Sequence, residues 1–195
     1  MQPDTKGYDD ADIQDCLPQR SGGWDGMSYR NKTYVAFASE DIKWYRLMEA
    51  WRDNDNIDFN FVDAHDLARA LDTSQPETIR RRLRERLNNT KQVVLLGSAT
   101  CKSKAGKTSS FIHYEVETVV ALNLPVVVAN LDGNRTVDRD FIPRQILDAN
   151  YYTISVSVQP KIIMYALDNY AIEYATSTKT GPNHYPDSVY TELGL

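Results

Sequence analysis

The sequence predicts a three-layer α/β domain built on a mostly parallel, five-stranded sheet. Three observations lead there. β-Branched and aromatic runs alternate with helical patterns from Thr33 onward. Two of those runs, QVVLLGS and PVVVANLD, are apolar without alternation, as strands covered on both faces are. The strand ends Ala38-Ser39, Asp63-His65, Gly97-Ser98 and Asn130-Asp132 are small or polar, and ligands of such sheets bind at the carboxyl ends of the strands.

The first strand runs from Thr33 to Phe37. Ser39 is the expected N-cap of the next helix, with Glu40 and Asp41 in its first turn, where the helix dipole favours acids. Trp44, Leu47, Met48 and Trp51 then recur at i, i+3, i+4 and i+7, the buried stripe of an amphipathic helix. Ile57, Phe59 and Phe61 alternate as a second strand ending in Asp63 and His65, and DLARALDTSQ reads as a loop with a short helical turn. In SQPETIRRRLRERLNNT, Ser74 and Glu77 stand at capping-box spacing, Pro76 falls in the first turn, and Ile79, Leu83 and Leu87 share one face. QVVLLGS is the third strand. A polar loop with Lys102, Lys104 and Lys107 leads into a helix from about Ser110 to Leu122, and PVVVANLD is the fourth strand. Arg135 to Asn150 reads as part helix, part loop. YTISVSV is the fifth strand, and QPKIIMYALDNYAIEYA the last helix, with Pro160 near its start.

Residues 1–31 are a polar, glycine-containing arm without a clear period, residues 32–175 the α/β domain, and residues 176–195 a tail whose rings should pack on it. A chain of 195 residues can bury a proper core in one domain. The net charge of −5 argues against a general nucleic-acid binder, which shows a basic excess. The longest apolar run, VVALNLPVVVANL, is interrupted by Asn123 and Pro125 and falls short of the ~20 residues a membrane span requires. The acidic start has no apolar core of a signal peptide, and Cys16 and Cys101 make no disulfide framework. A cytoplasmic protein is expected.

Gly106-Lys107-Thr108 invites comparison with a phosphate-binding loop. That motif needs a glycine five positions before Gly106, and Cys101 stands there, followed by KSKA. A triphosphatase is therefore not the preferred reading, and the lysines are taken as a solvated loop. Glu115 is the stronger candidate. At 100° per residue it lies about 60° from the centre of the face carrying Ile112, Val116, Val119 and Val120, whereas Glu117 points away. A carboxylate bordered by Phe111 and Tyr114 should be partly desolvated, with a raised pKa, which marks a site; a boundary glutamate paired with lysine is the bland alternative. The arginines at 80, 81, 82, 84 and 86 suit a solvated or subunit-contact face. His65, His113 and His184 lack metal-ligand spacing, so no metal site is expected. Cys101 with His113 is no thiol-nucleophile motif.

The runs TYVAFASED, FNFVDAHD and RLRERLNNTKQVVLLGSAT, with SFIHYEVE after them, resemble the TIR-like domains of bacterial anti-phage defence, in particular the TIR subunits of Thoeris systems, over roughly residues 32 to 131. The resemblance implies a flavodoxin-like TIR fold that cleaves the nicotinamide–ribose bond of NAD. It implies a cyclised or modified ADP-ribose second messenger for a separate effector, release by a phage trigger, and self-assembly. NAD would be a substrate, with no cofactor needed. Glu115 matches the family's catalytic glutamate. Phe37 and Ser39 match positions bordering the nucleotide pocket, and Ala38, Asp63, Ser98, Phe111 and Tyr114 are the other expected substrate-binding residues. Phe111 stands where relatives usually carry tryptophan, and His113 where they carry a basic residue. The alternatives are a non-catalytic TIR module that senses or assembles, and a nucleoside 2-deoxyribosyltransferase-like enzyme.

Overall fold

The structure is a computed structural model and describes residues 33–59, 61 and 76–195. Strand β1 (Thr33–Ala36) leads through a 3₁₀ turn (Ser39–Asp41) into α1 (Ile42–Arg52), and α2 (Pro76–Leu87) precedes β2 (Gln92–Gly97). Next come α3 (Ala99–Ala105), α4 (Phe111–Ala121) and β3 (Val126–Asn130), then α5 (Arg144–Asp148) and β4 (Thr153–Ser157). The long α6 (Pro160–Thr176), β5 (Pro182–His184) and α7 (Asp187–Glu192) complete the chain.

The described sheet has the order β1-β2-β3-β4-β5 and every pairing is parallel. Tyr34, Val93, Val126, Thr153 and Pro182 form one row across it. Because side chains alternate along each strand, such a row belongs to one face. Val35, Val94, Val127 and Ile154 face a core shared with α1 and α6. Tyr34, Val93, Val126 and their row-mates face α3, α4 and α5. Strands buried on both sides need no polar alternation, which explains the continuous valine and leucine runs; each such fully buried side chain contributes about 1.5–3 kcal/mol over exposure.

Four local expectations change. Residues 57–59 form no strand: the Phe59 N–H donates to the Ile57 carbonyl at 2.7 Å, a local turn that removes it from a ladder. Phe59 and Phe61 are nevertheless buried, ring against ring, in the α1–α6 core. The expected end of that strand at Asp63 and His65 lies outside the described residues, as do the arm and Ser74. The fifth strand is instead β5, in the tail. Its Pro182 lacks an N–H, which is tolerable at the start of an edge strand, and its polar residues carry no strand signal.

The supposed lysine loop is helix α3. Ser98 accepts a hydrogen bond from the Cys101 N–H at 2.9 Å, a genuine N-cap. Lys102 then reaches Asp140 at 2.9 Å and Lys104 reaches Glu40 at 2.6 Å. Ser39, by contrast, caps nothing: it sits in the 3₁₀ turn and its hydroxyl donates to Glu40. The buried centre of α1 is Tyr45 and Met48, while Leu47 is 37% exposed. Trp44 and Trp51 flank that centre and cover the same core. No described helix is long and apolar enough to cross a membrane.

Candidate functional site

Helix α4 begins one residue after Ser110 and is buried well beyond a single stripe: Ile112, His113, Tyr114, Glu115, Val116, Thr118 and Val119 are all covered. It rests on the sheet and is flanked by α2, α3 and α5, so its sides as well as its base are desolvated. Glu115 is only 4% exposed, whereas the Glu117 side chain keeps 43% of its surface in water.

The partner of Glu115 comes from β1. The Tyr34 hydroxyl, fully buried, donates to Glu115 Oε1 across 81 positions of sequence. Alternation sends Tyr34, Ala36 and Ala38 towards α4, and the two alanines keep that side of the strand end narrow. A phenol in a core needs a hydrogen-bond partner, and a buried carboxylate needs a donor; each supplies the other.

Cys101, a free thiol with no exposure, stands next to this pair. Burial pushes its pKa well up, and the charges of Asp41 and Glu115 add to the effect, against a small opposing contribution from the Ala38 backbone. The thiol is therefore protonated and inert as a nucleophile. Asp41, 9% exposed, accepts a 2.6 Å hydrogen bond from Ser98 Oγ. Ser98 thus ties the turn after β1 to the start of α3. Around Cys101 the structure brings together Ala38, Asp41, Ser98 and Glu115, and Tyr34 reaches Glu115 from the second position of β1.

Other expected residues lie elsewhere. Phe37 faces the opposite core and stacks on Tyr45, with ring centroids 4.9 Å apart. Ser39 is exposed and bonded to Glu40. Phe111 and Tyr114 pack with Leu83 of α2, and the Arg80 guanidinium lies 4.9 Å from the Tyr114 ring. Asp63 lies outside the described residues. His113 is a structural tie: Nδ1 lies 2.7 Å from the Ala105 carbonyl and Nε2 lies 3.1 Å from Glu117. Sequence reasoning did not place Tyr34 or Asp41 in the site, and it weighed Cys101 only as a thiol nucleophile, which it set aside. Tyr34 had one available signal, a polar-tipped ring at an inward position of a strand otherwise apolar or small on that face.

Among the described residues, no group of three or more histidine, cysteine, aspartate or glutamate side chains could hold a metal ion. The groups present offer two desolvated carboxylates, Glu115 and Asp41, each with a hydroxyl donor, an arrangement suited to holding a developing positive charge.

A parallel sheet covered by helices on both faces is the architecture of a flavodoxin-like domain of the TIR type. Residues 34–136 match the family model described as Thoeris protein ThsB, TIR-like domain. That match spans more than half of the 195 residues, and the chain belongs to this family. The matched span contains Tyr34, Asp41, Ser98, Cys101 and Glu115; β4, β5, α6 and α7 lie beyond it yet complete the same sheet and core. No curated protein matches the chain. Its family places it in anti-phage defence, in a system where it works with a partner effector.

Proposed function

We propose that this protein cleaves the nicotinamide–ribose bond of NAD, with Glu115 as the catalytic carboxylate. The product is a cyclised or otherwise modified ADP-ribose that signals to a separate effector. Family membership supports the setting, and the observation that carries the chemistry is Glu115 itself, 4% exposed and fixed by a phenol. In this reading NAD is consumed as a substrate in the cytoplasm and no cofactor is required. A phage component and self-assembly release the activity.

When the C1′–N bond breaks, its electron pair leaves with nicotinamide, which becomes neutral. The ribose is left as an oxocarbenium-like cation. A carboxylate beside it lowers the barrier electrostatically, the more so because little water screens it. A hydroxyl oxygen or ring nitrogen of the same molecule, or water, then bonds to C1′, and a proton is lost from the attacking hydroxyl or water, or from the exocyclic amine of the alkylated ring. Exclusion of water favours the intramolecular product. The leaving pyridinium needs no strong general acid.

The test is nicotinamide release from NAD by the purified protein, with and without lysate of infected cells, followed by chromatography. Glu115→Gln should lower the rate by at least about 100-fold, and Glu117→Gln should leave it within about twofold. Equal rates for Glu115→Gln and the parent would remove Glu115 from the chemistry. The depth of its burial would then favour the competing reading, a TIR module that acts by assembly with Glu115 as a structural residue. Release of base from deoxynucleosides but not from NAD would instead indicate a deoxyribosyltransferase.

A further inference from the structure

We propose that Tyr34 is a positioning residue for the reaction: its hydroxyl fixes the orientation and the ionised form of the Glu115 carboxylate. The inference rests on the reading of Glu115 given above and extends it to a residue on a different element.

The geometry is specific. Tyr34 is the second residue of β1, in register with Val93 of β2, and its side chain is wholly enclosed in the core beneath α4. Phenylalanine would fill the same volume without a polar atom. The hydroxyl instead meets Glu115 Oε1. A rigid ring wholly enclosed in the core leaves the carboxylate little rotational freedom, which is what a group acting by charge alone requires.

The electrostatics point the same way. Burial by itself drives a carboxyl towards its neutral form, and a donor to the charged form opposes that drift. Other titratable groups pack around the pair. From α3 comes Cys101, held protonated, and from the turn before α1 comes Asp41, an acid that acts on the same thiol. On α4 itself, His113 and Glu117 face one another, and Arg80 of α2 lies against Glu117 and the Tyr114 ring. Lys102 and Lys104 of α3 bind Asp140 and Glu40. A neutral carboxylic acid could not stabilise the ribosyl cation, so a group that keeps Glu115 ionised acts on the chemical step more than on substrate binding.

The experiment compares the parent, Tyr34→Phe and Glu115→Gln as full chains, with three measurements on each: steady-state NAD turnover, thermal midpoint, and the carboxyl titration of ¹³C-labelled glutamates by NMR. The resonance missing from Glu115→Gln identifies Glu115. Tyr34→Phe should lower kcat by about 10- to 100-fold with KM within about twofold. Its thermal midpoint should stay within a few degrees, and the Glu115 titration should move to higher pH. An unchanged titration overturns the inference, and so does an unchanged kcat in an otherwise active protein. Failure of Tyr34→Phe to fold also overturns it, because the hydroxyl would then be structural. A parent that releases no nicotinamide under any trigger defeats the catalytic reading of Glu115 instead. The titration still decides whether Tyr34 sets that carboxyl's ionisation.

Discussion

Gly97 ends β2 beside the Ser98 cap, and its lack of a side chain has a measurable cause. A Cβ built there would lie 2.8 Å from Val128 Cγ1, a stiff β-branched group wholly buried on β3. Relief would require moving strand against strand or forcing Val128 off its rotamer. Gly97→Ala is therefore expected to cost about 1–3 kcal/mol, read as a lower midpoint in denaturant unfolding with unchanged slope. Its second expected effect is local, since Ser98 and the α3 cap follow at once. At the same scale, Glu115 and Tyr34 show why single residues resist interpretation in isolation: the buried phenol and the buried carboxylate meet across the fold.

Between elements, the α6-to-β5 connection shows how a surface ion pair becomes pH-dependent stability. Lys179 hydrogen-bonds Glu173 at 2.6 Å, and Tyr152 donates to the same oxygen at 2.9 Å. Lys179 is the larger cause of the carboxyl's lowered pKa, and burial works against it. A carboxyl titrating lower when folded than when unfolded stabilises the fold above the unfolded value, and the stabilisation fades as pH falls through the folded value. Lys179→Ala should thus lose at most about 1 kcal/mol near neutral pH, since both side chains are largely solvated. The difference from the parent should close as pH falls below the ordinary value of 4.5. Denaturant unfolding at a series of pH values checks it; a gap that widens in acid would contradict the assignment. The positive φ of Gly181, +68°, sets the turn that follows and lets its N–H reach the Asn150 carbonyl at 2.7 Å.

For the whole molecule, the span matched by the family model stops at residue 136, but the sheet and its second core do not. Tyr190 of α7 is fully buried among α6 and the strands, its hydroxyl accepts the Ser157 N–H at 3.1 Å, and the Arg135 guanidinium lies 4.5 Å from its ring. The tail is therefore integral to the domain. Tyr190→Ala should cost about 3–5 kcal/mol, a fall of about 6–20 °C in the thermal midpoint for a chain of this size, measurable by calorimetry. A change of a degree or two would mean that the tail's packing contributes little.

Local pattern was enough for the α/β class, for strands β1 to β4, for α4 and α6 close to their bounds, and for the contrast between Glu115 and Glu117. Those features depend on periodicity and on near neighbours, which the chain states directly. It misled where one polar atom finds a partner far away. The lysine-rich segment reads as loop until Ser98 caps it and Asp140 and Glu40 take its charges. PNH reads as tail until β4 offers it an edge. Phe37 and Tyr34 look alike as strand aromatics, and only the strand's alternation against two different cores separates the ring stacked on Tyr45 from the one bonded to Glu115. The sequence by itself determined which segments could be strands, helices and candidate carboxylates, because those are short-range properties. Tertiary structure alone decided which groups meet, because the Tyr34–Glu115 bond closes over 81 residues and exists only once β1 and α4 have packed together.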